Sequence, residues 1–210
     1  MNEQTSERTK EQMNERMNGR PNDVRNVGEV TLADLLESRE NRAAHQEELL
    51  KRYGGVLVSF TLNIPGPVKD GPSYRAALYE GIDLLNGAMG RLKRRPEWNG
   101  RVALVFEQKR FLPTGPEGYL CLCDEDGRTE ELALAVKRET VAIEDGSPLG
   151  RLFDLDVLTG EGGIGRSRLE LPPRKCLLCG EAAKVCARGR RHSMEELLAE
   201  IRRILDEAGL

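Results

Sequence analysis

No apolar run in the 210 residues approaches the roughly 20 residues that a membrane-crossing helix needs, so no membrane span is expected. The N-terminus also lacks the apolar core of a signal peptide. Five cysteines, odd in number and unevenly spaced, do not make the disulfide framework of a small secreted protein. These absences point to a cytoplasmic protein with reduced thiols. A basic excess is missing as well. With 32 Lys and Arg against 35 Asp and Glu, the net charge is −3 and the pI about 5.7, which gives no overall field for nucleic acid. A nucleotide-like ligand would have to be gripped by a local group of cations. No internal repeat is apparent.

Residues 1–26 are rich in Asn, Glu, Gln and Arg and contain no aromatic or β-branched cluster, so a disordered tail without a catalytic part is expected there. One domain over 27–210 is long enough to bury a sizeable core. From Thr31, a plausible N-cap, apolar residues recur at helical spacing through Leu32, Leu35, Leu36, Ala43, Ala44, Leu49 and Leu50, and Gly54 and Gly55 end the helix. His45 within it reads as a surface or packing residue. Residues 56–63 read as a buried strand, followed by a Pro/Gly loop that carries Lys69. A helix over 73–92 leads to strands at 101–108 and 118–124, joined by a loop, FLPTGPE. A third helix follows over 129–143. Cys121 and Cys123 alternate with apolar residues, as buried thiols do. Ser193 and Glu196 form a capping box for a last amphipathic helix. The pattern predicts a single α+β domain with a mixed or antiparallel sheet of about five strands, helices packed on it, nucleotidyltransferase-like in outline.

Acidic, basic and glycine-rich chemistry converge in GRLFDLDVLTGEGGIGRSR, residues 150–168. Read as a strand over 151–158, it puts Leu152, Asp154 and Asp156 on one side and Phe153, Leu155 and Val157 on the other. The two aspartate Cα atoms then lie roughly 6.6 Å apart, close enough for both carboxylates to meet one hard cation such as Mg²⁺. Gly160–Gly165 spells GxGxxG, but a dinucleotide-binding loop requires a helix after it, and this one runs toward Pro172 and Pro173. A hairpin loop is expected instead, with a returning strand that carries Arg166, Arg168 and Glu170 on one face beside the aspartates. Two carboxylates for a metal and two guanidiniums for phosphate oxygens suit phosphoryl transfer. The same pattern equally describes cross-strand ion pairs. Glu170 and Glu107 are candidates for a third metal ligand.

Downstream, Cys176-x₂-Cys179-Gly180 resembles a zinc knuckle that Cys186 and His192 would complete as a Cys₃His set. The alternative is a small turn packed by reduced thiols. Arg174, Lys175, Lys184, Arg188, Arg190 and Arg191 form either a polyphosphate-binding patch or a solvated face.

GRLFDLDVL from Gly150, Arg166, PRKCLLCGEAAKVCARGRRHSMEEL and the upstream SFTLNIPGPVK (59–69) together resemble the apo-citrate lyase phosphoribosyl-dephospho-CoA transferase family, also called holo-citrate lyase synthase. The likeness covers roughly residues 30–205. It implies an enzyme that attaches the prosthetic group of citrate lyase to its acyl carrier protein. A carrier serine attacks the α-phosphate of 2′-(5″-triphosphoribosyl)-3′-dephospho-CoA, and pyrophosphate leaves. On that resemblance Asp154 and Asp156 hold Mg²⁺, Arg166 and Arg168 steady the pyrophosphate, and Lys69, Arg151, Arg174, Arg188 and Arg191 are further phosphate ligands. His192 or an aspartate takes the serine proton. A malonate decarboxylase carrier, which takes the same group, is an alternative partner. Two other readings remain open at this stage: a zinc-stabilised binding module without chemistry, and a sugar-nucleotide glycosyltransferase that uses the two acids as a DxD signature.

Overall fold

The computed structural model describes residues 28–210, and the expected disordered tail, 1–26, lies outside the described residues. The elements follow in the order α1 (Leu32–Tyr53), β1 (Val56–Leu62), α2 (Pro72–Lys93), β2 (Val102–Leu112), β3 (Gly115–Asp124), α3 (Thr129–Gly146), β4 (Phe153–Thr159), β5 (Gly162–Ile164), α4 (Ala183–Gly189) and α5 (Met194–Glu207). Short 3₁₀ turns occupy Leu149–Leu152 and Arg166–Leu169. The five strands make one sheet in the order β2-β3-β1-β4-β5, and every pairing is antiparallel. The α+β expectation is therefore met, with the antiparallel of the two sheet types.

Alternation along the strands sets two different faces. Val56, Val58 and Phe60 of β1, Leu120 and Leu122 of β3, and Phe153, Leu155 and Val157 of β4 point into the main core. That core is closed by Leu78, Ile82, Leu85 and Met89 of α2, Leu132 and Val136 of α3, and Ile201, Ile204 and Leu205 of α5. Each such side chain, fully buried, contributes about 1.5–3 kcal/mol before the entropic cost of ordering it. The opposite face carries a smaller cluster of Leu57, Tyr119 and Cys121 under Leu49 of α1. Thr31 caps α1 through a reciprocal box with Asp34, and Ser193 caps α5 in the same way with Glu196.

Several boundaries differ from the sequence expectation. The hairpin β2–β3 replaces most of the expected FLPTGPE loop, because the chain reverses within Pro113 and Thr114, and Gly115, at φ 119°, takes a conformation that a side chain would resist. Strand β4 begins at Phe153, so Leu152 belongs to the preceding 3₁₀ turn and is buried rather than standing beside the aspartates. The strand returning from the glycine-rich segment is only Gly162–Ile164. Arg166–Leu169 then coils into a 3₁₀ turn closed by Glu170 at φ 57°. Gly150 shows why the turn before β4 is tight. A Cβ there would lie 2.1 Å from the carbonyl oxygen of Ile143, so only glycine lets the turn lie against the end of α3.

Candidate active site

β4 presents Asp154 and Asp156 to solvent while its alternate residues are buried, as the period-two pattern requires. Across the sheet, Asp156 is level with Ser59, Tyr119 and Gln108, and Asp154 with Thr61, Glu117 and Arg110. Two polar rows thus cross four strands on the face that α1 partly covers. Helix α1 reaches into these rows: Arg42 Nε donates to Glu117 Oε1 at 2.9 Å and Gln46 Nε2 to Ser59 Oγ at 2.8 Å. Glu117, buried, also accepts from the Tyr119 hydroxyl at 2.6 Å. A cleft of about 360 Å³ opens where α1 meets the β2–β3 hairpin, bounded by Ser38, Asn41, Arg42, Arg110, Thr114 and Glu117.

The acid pair is held electrostatically under tension. Although its side chain reaches solvent, Asp156 is partly desolvated by the protein around it, which raises its pKa, and the charge of Asp154 raises it further; Glu144 adds to this, while Lys137 and Arg42 oppose it. Like charges on neighbouring, same-side positions are what a divalent cation relieves, so the donor set fits a hard ion such as Mg²⁺. The nearest cation is Arg174, with Nη1 3.7 Å from Asp154 Oδ1.

Sequence reasoning missed how this strand is held. Beyond Val157–Thr159, where β5 pairs, the outer edge of β4 is taken over by side chains of α3. Lys137 Nζ donates to the Leu155 carbonyl at 2.8 Å, and the Leu155 amide donates to Glu144 Oε1 at 3.0 Å. Both charged residues are buried. The available signal was their place on the apolar stripe of α3, among Ala133, Thr140 and Val141. Arg42 and Glu117 gave no comparable signal.

The cations expected around the acids are scattered. Arg166 does not turn to β4. Its guanidinium bonds Asp145 Oδ2 at 2.8 Å and Glu144 Oε2 at 2.7 Å on α3. Arg168 pairs with Glu130 at the other end of that helix. The short β5 and the 3₁₀ turn explain this, since a continued strand would have kept both arginines over the sheet. Arg151 is turned toward the cysteine segment, with Nη2 donating to the carbonyls of Lys175 and Cys176 at 3.1 and 2.8 Å. Lys69 bonds the Ile64 carbonyl, and burial, with the Arg39 charge, lowers its pKa. Arg188 and Arg191 are exposed. Glu107 belongs to the α2 side of the sheet, where it accepts from Asn86 at 3.0 Å and pairs with Lys109, so it is no partner for the aspartates. Glu170 stands in the turn after β5.

The four residues of the Cys₃His set do come together. The ligand atoms of Cys176, Cys179, Cys186 and His192 all lie within 4.8 Å of one another. Cys179 Sγ is 3.5 Å from Cys186 Sγ and 3.4 Å from His192 Nε2. A disulfide would need about 2.05 Å, and all five cysteines are free. A tight reversal delivers the first two, through Cys176 N to Glu181 O at 2.7 Å and Ala183 N to Arg174 O at 2.8 Å. Helix α4 supplies Cys186. Burial, then the two adjacent thiols, push Cys186 up to about 12; burial acts the same way on Cys176, but the amides of Leu178 and Cys179 together with the thiols of Cys186 and Cys179 outweigh it and lower its pKa. The cluster can hold a metal ion, and its imidazole faces sulfur rather than the acid strand.

No helix among the described residues is long and apolar enough to cross a membrane. The profile of the family described as apo-citrate lyase phosphoribosyl-dephospho-CoA transferase matches residues 30–208. Proteins bearing that name from Escherichia coli O1:K1 and from Shigella boydii serotype 18 are each 39% identical to this chain over 180 residues, 85% of the chain and 90% of the relative. The match runs from the cap of α1 to the last turn of α5, through both the acid strand and the cysteine cluster, and the chain belongs to the apo-citrate lyase phosphoribosyl-dephospho-CoA transferase family of enzymes.

Proposed function

We propose that this transferase joins phosphoribosyl-dephospho-CoA, taken from 2′-(5″-triphosphoribosyl)-3′-dephospho-CoA, to a serine of the citrate lyase acyl carrier protein, and that Asp154 and Asp156 are the centre of the reaction. The observation that carries this reading is the pairing of two same-side carboxylates on β4, one with a raised pKa, beside the guanidinium of Arg174. When bound, Mg²⁺ would supply charge neutralisation on the triphosphate and orient the α-phosphate for in-line attack. Asp154 and Asp156 would hold it. Arg174 is the cation best placed for the departing pyrophosphate, because its Nη1 stands beside Asp154 while its Nη2 bonds the Arg151 carbonyl; Arg166 and Arg168 are paired with acids of α3, and Arg151 is turned toward the cysteine segment. With His192 turned into the sulfur cluster, the serine proton falls to the acid strand.

Zn²⁺ is the ion suited to the Cys₃His set, since thiolates are poor magnesium ligands, so the two metals would sort by ligand softness. The exposed Arg188 and Arg191 at the end of α4 form the docking patch for an acidic carrier. The free thiols fit a cytoplasmic setting. Relatives named as phosphoribosyl-dephospho-CoA transferases favour neither the non-catalytic zinc module nor the glycosyltransferase. The test is incubation with apo-carrier, triphosphoribosyl-dephospho-CoA and Mg²⁺. The expected result is a carrier mass increase by one phosphoribosyl-dephospho-CoA with equimolar pyrophosphate. An unchanged carrier mass, or release of a nucleoside diphosphate, overturns the reading.

A further inference from the structure

We propose that the Cys₃His centre is a zinc-filled latch that fixes the entrance of the acid strand, acting through Arg151 and Arg174. The inference rests on the assignment of zinc to this cluster and of the chemistry to β4. Four observations converge on it.

Two of the ligand spacings, both at Cys179, are already close to those of a zinc tetrahedron, and all four ligand atoms lie within 4.8 Å of one another. Zn–S bonds of about 2.3 Å and a Zn–N bond of about 2.0 Å give edges of roughly 3.5–3.8 Å, against 3.5 Å between Cys179 and Cys186 and 3.4 Å between Cys179 and His192. Next, little regular structure holds the segment that carries the ligands, beyond the backbone bonds of its reversal and the packing of Leu177 on the main core. From Glu170 to Ala182 it contains only one isolated bridge, Lys175 to Ala182, and α4 has seven residues. Thiol contacts alone are weak hydrogen bonds, too little to order a loop of that length.

The other two observations join this segment to the acid strand in both directions. Arg151, in the 3₁₀ turn that opens into β4, sends its Nη2 to the carbonyls of Lys175 and of the ligand Cys176. Arg174, two residues before that ligand, returns its Nη2 to the carbonyl of Arg151 and places Nη1 beside Asp154. The two arginines therefore exchange side chain for backbone across the junction. Ordering of the zinc loop and of residues 149–154 becomes one event. Loss of the ion would free both Arg174 and the turn from which Asp154 emerges.

Purified protein should contain close to one zinc per chain. Hydrogen exchange compared before and after chelation should show lost protection in 174–192 and, as the distinguishing sign, also in 149–154. Because cysteine variants can simply misfold, the reciprocal test uses Arg151→Gln, which keeps all four ligands. It should give up zinc to a competing chelator about tenfold more readily than wild type, the equivalent of one charge-assisted hydrogen bond. Zinc well below stoichiometric overturns the proposal. So does full zinc combined with unchanged exchange in 149–154 and wild-type zinc release from Arg151→Gln. None of these readouts depends on carrier mass, so failure of the transferase reading and failure of the latch are separate results.

Discussion

Asp156→Asn should move stability and activity in opposite directions. In the folded protein Asp156 is driven toward its neutral form, first by burial and then by the Asp154 carboxylate. A raised folded pKa means that the fold binds the proton more tightly than the unfolded chain does. The stability this gives is complete below the unfolded value, about 3.9, and is lost as pH rises through the raised folded value. At neutral pH the ionised pair is therefore a net cost. Two unit charges roughly 6 Å apart repel by about 0.7 kcal/mol in water and about 2.8 kcal/mol at an effective dielectric of 20. Solvent screening holds the repulsion of this solvent-facing pair to about 1 kcal/mol. For a chain of this size it corresponds to a melting point about 2–4 °C higher in Asp156→Asn at pH 7. The gain should shrink as pH is lowered through the raised folded value, where the wild-type carboxyl takes up its proton. Mg²⁺ should act the other way, raising the wild-type melting point by about 1.4 kcal/mol equivalent at ten times its dissociation constant and leaving the variant nearly unmoved. Transfer activity should fall by at least about three orders of magnitude, as expected when a metal ligand at a reacting phosphate is lost. Thermal melts across pH 4–8 with and without Mg²⁺, alongside carrier mass, test all of this. A variant that melts lower than wild type at pH 7, or that gains as much from Mg²⁺, would refute the reasoning that these carboxylates oppose each other until a cation joins them.

Glu144→Ala removes the acceptor of the Leu155 amide and one partner of Arg166, and with Asp145 still pairing that arginine it should cost about 3 kcal/mol in urea unfolding. A loss under about 1 kcal/mol would mean that α3 does not clamp the edge of β4. Gly150→Ala forces a methyl to within 2.1 Å of the Ile143 carbonyl and should destabilise by more than about 3 kcal/mol or shift the turn; a well-folded variant with normal transfer kinetics would contradict this. Reversing Arg188 and Arg191 to glutamate should raise the carrier KM at least about tenfold with little change in kcat and a weaker salt dependence. An unchanged KM removes these residues from carrier docking.

What the sequence disclosed about the site follows from how local each signal is. The alternation Phe153-Asp154-Leu155-Asp156-Val157 is a property of one strand, and a strand has only two faces, so the acids could be placed together before any tertiary contact was known. The capping boxes at Thr31 and Ser193 are equally local. The cysteine cluster was legible for a related reason: the ligands fall within 17 residues, and a knuckle followed by a short helix brings them together whatever the rest of the fold does. Arg166 and Arg168 failed because their destination depended on how far the returning strand would run. That was decided by competition between a weak glycine-rich strand and the carboxylates of α3, where buried Glu144 takes Arg166 and exposed Glu130 takes Arg168.

That competition also explains why an acid strand sits here at all. A full-length β5 would have paired the outer edge of β4 and buried Leu155 between two backbones. Stopping β5 at Ile164 leaves the Leu155 amide and carbonyl to Glu144 and Lys137, which are themselves charged and lie within electrostatic range of Asp156. The edge is thus closed by side chains that both complete the hydrogen bonding and set the potential at the acid pair, Glu144 making Asp156 harder to ionise and Lys137 easier. Removing either should change the affinity of the pair for a divalent ion in the direction of its own charge, weaker without Glu144 and tighter without Lys137. A backbone strand in their place could hold β4 equally well but would carry no net charge, and so could not tune the site it supports.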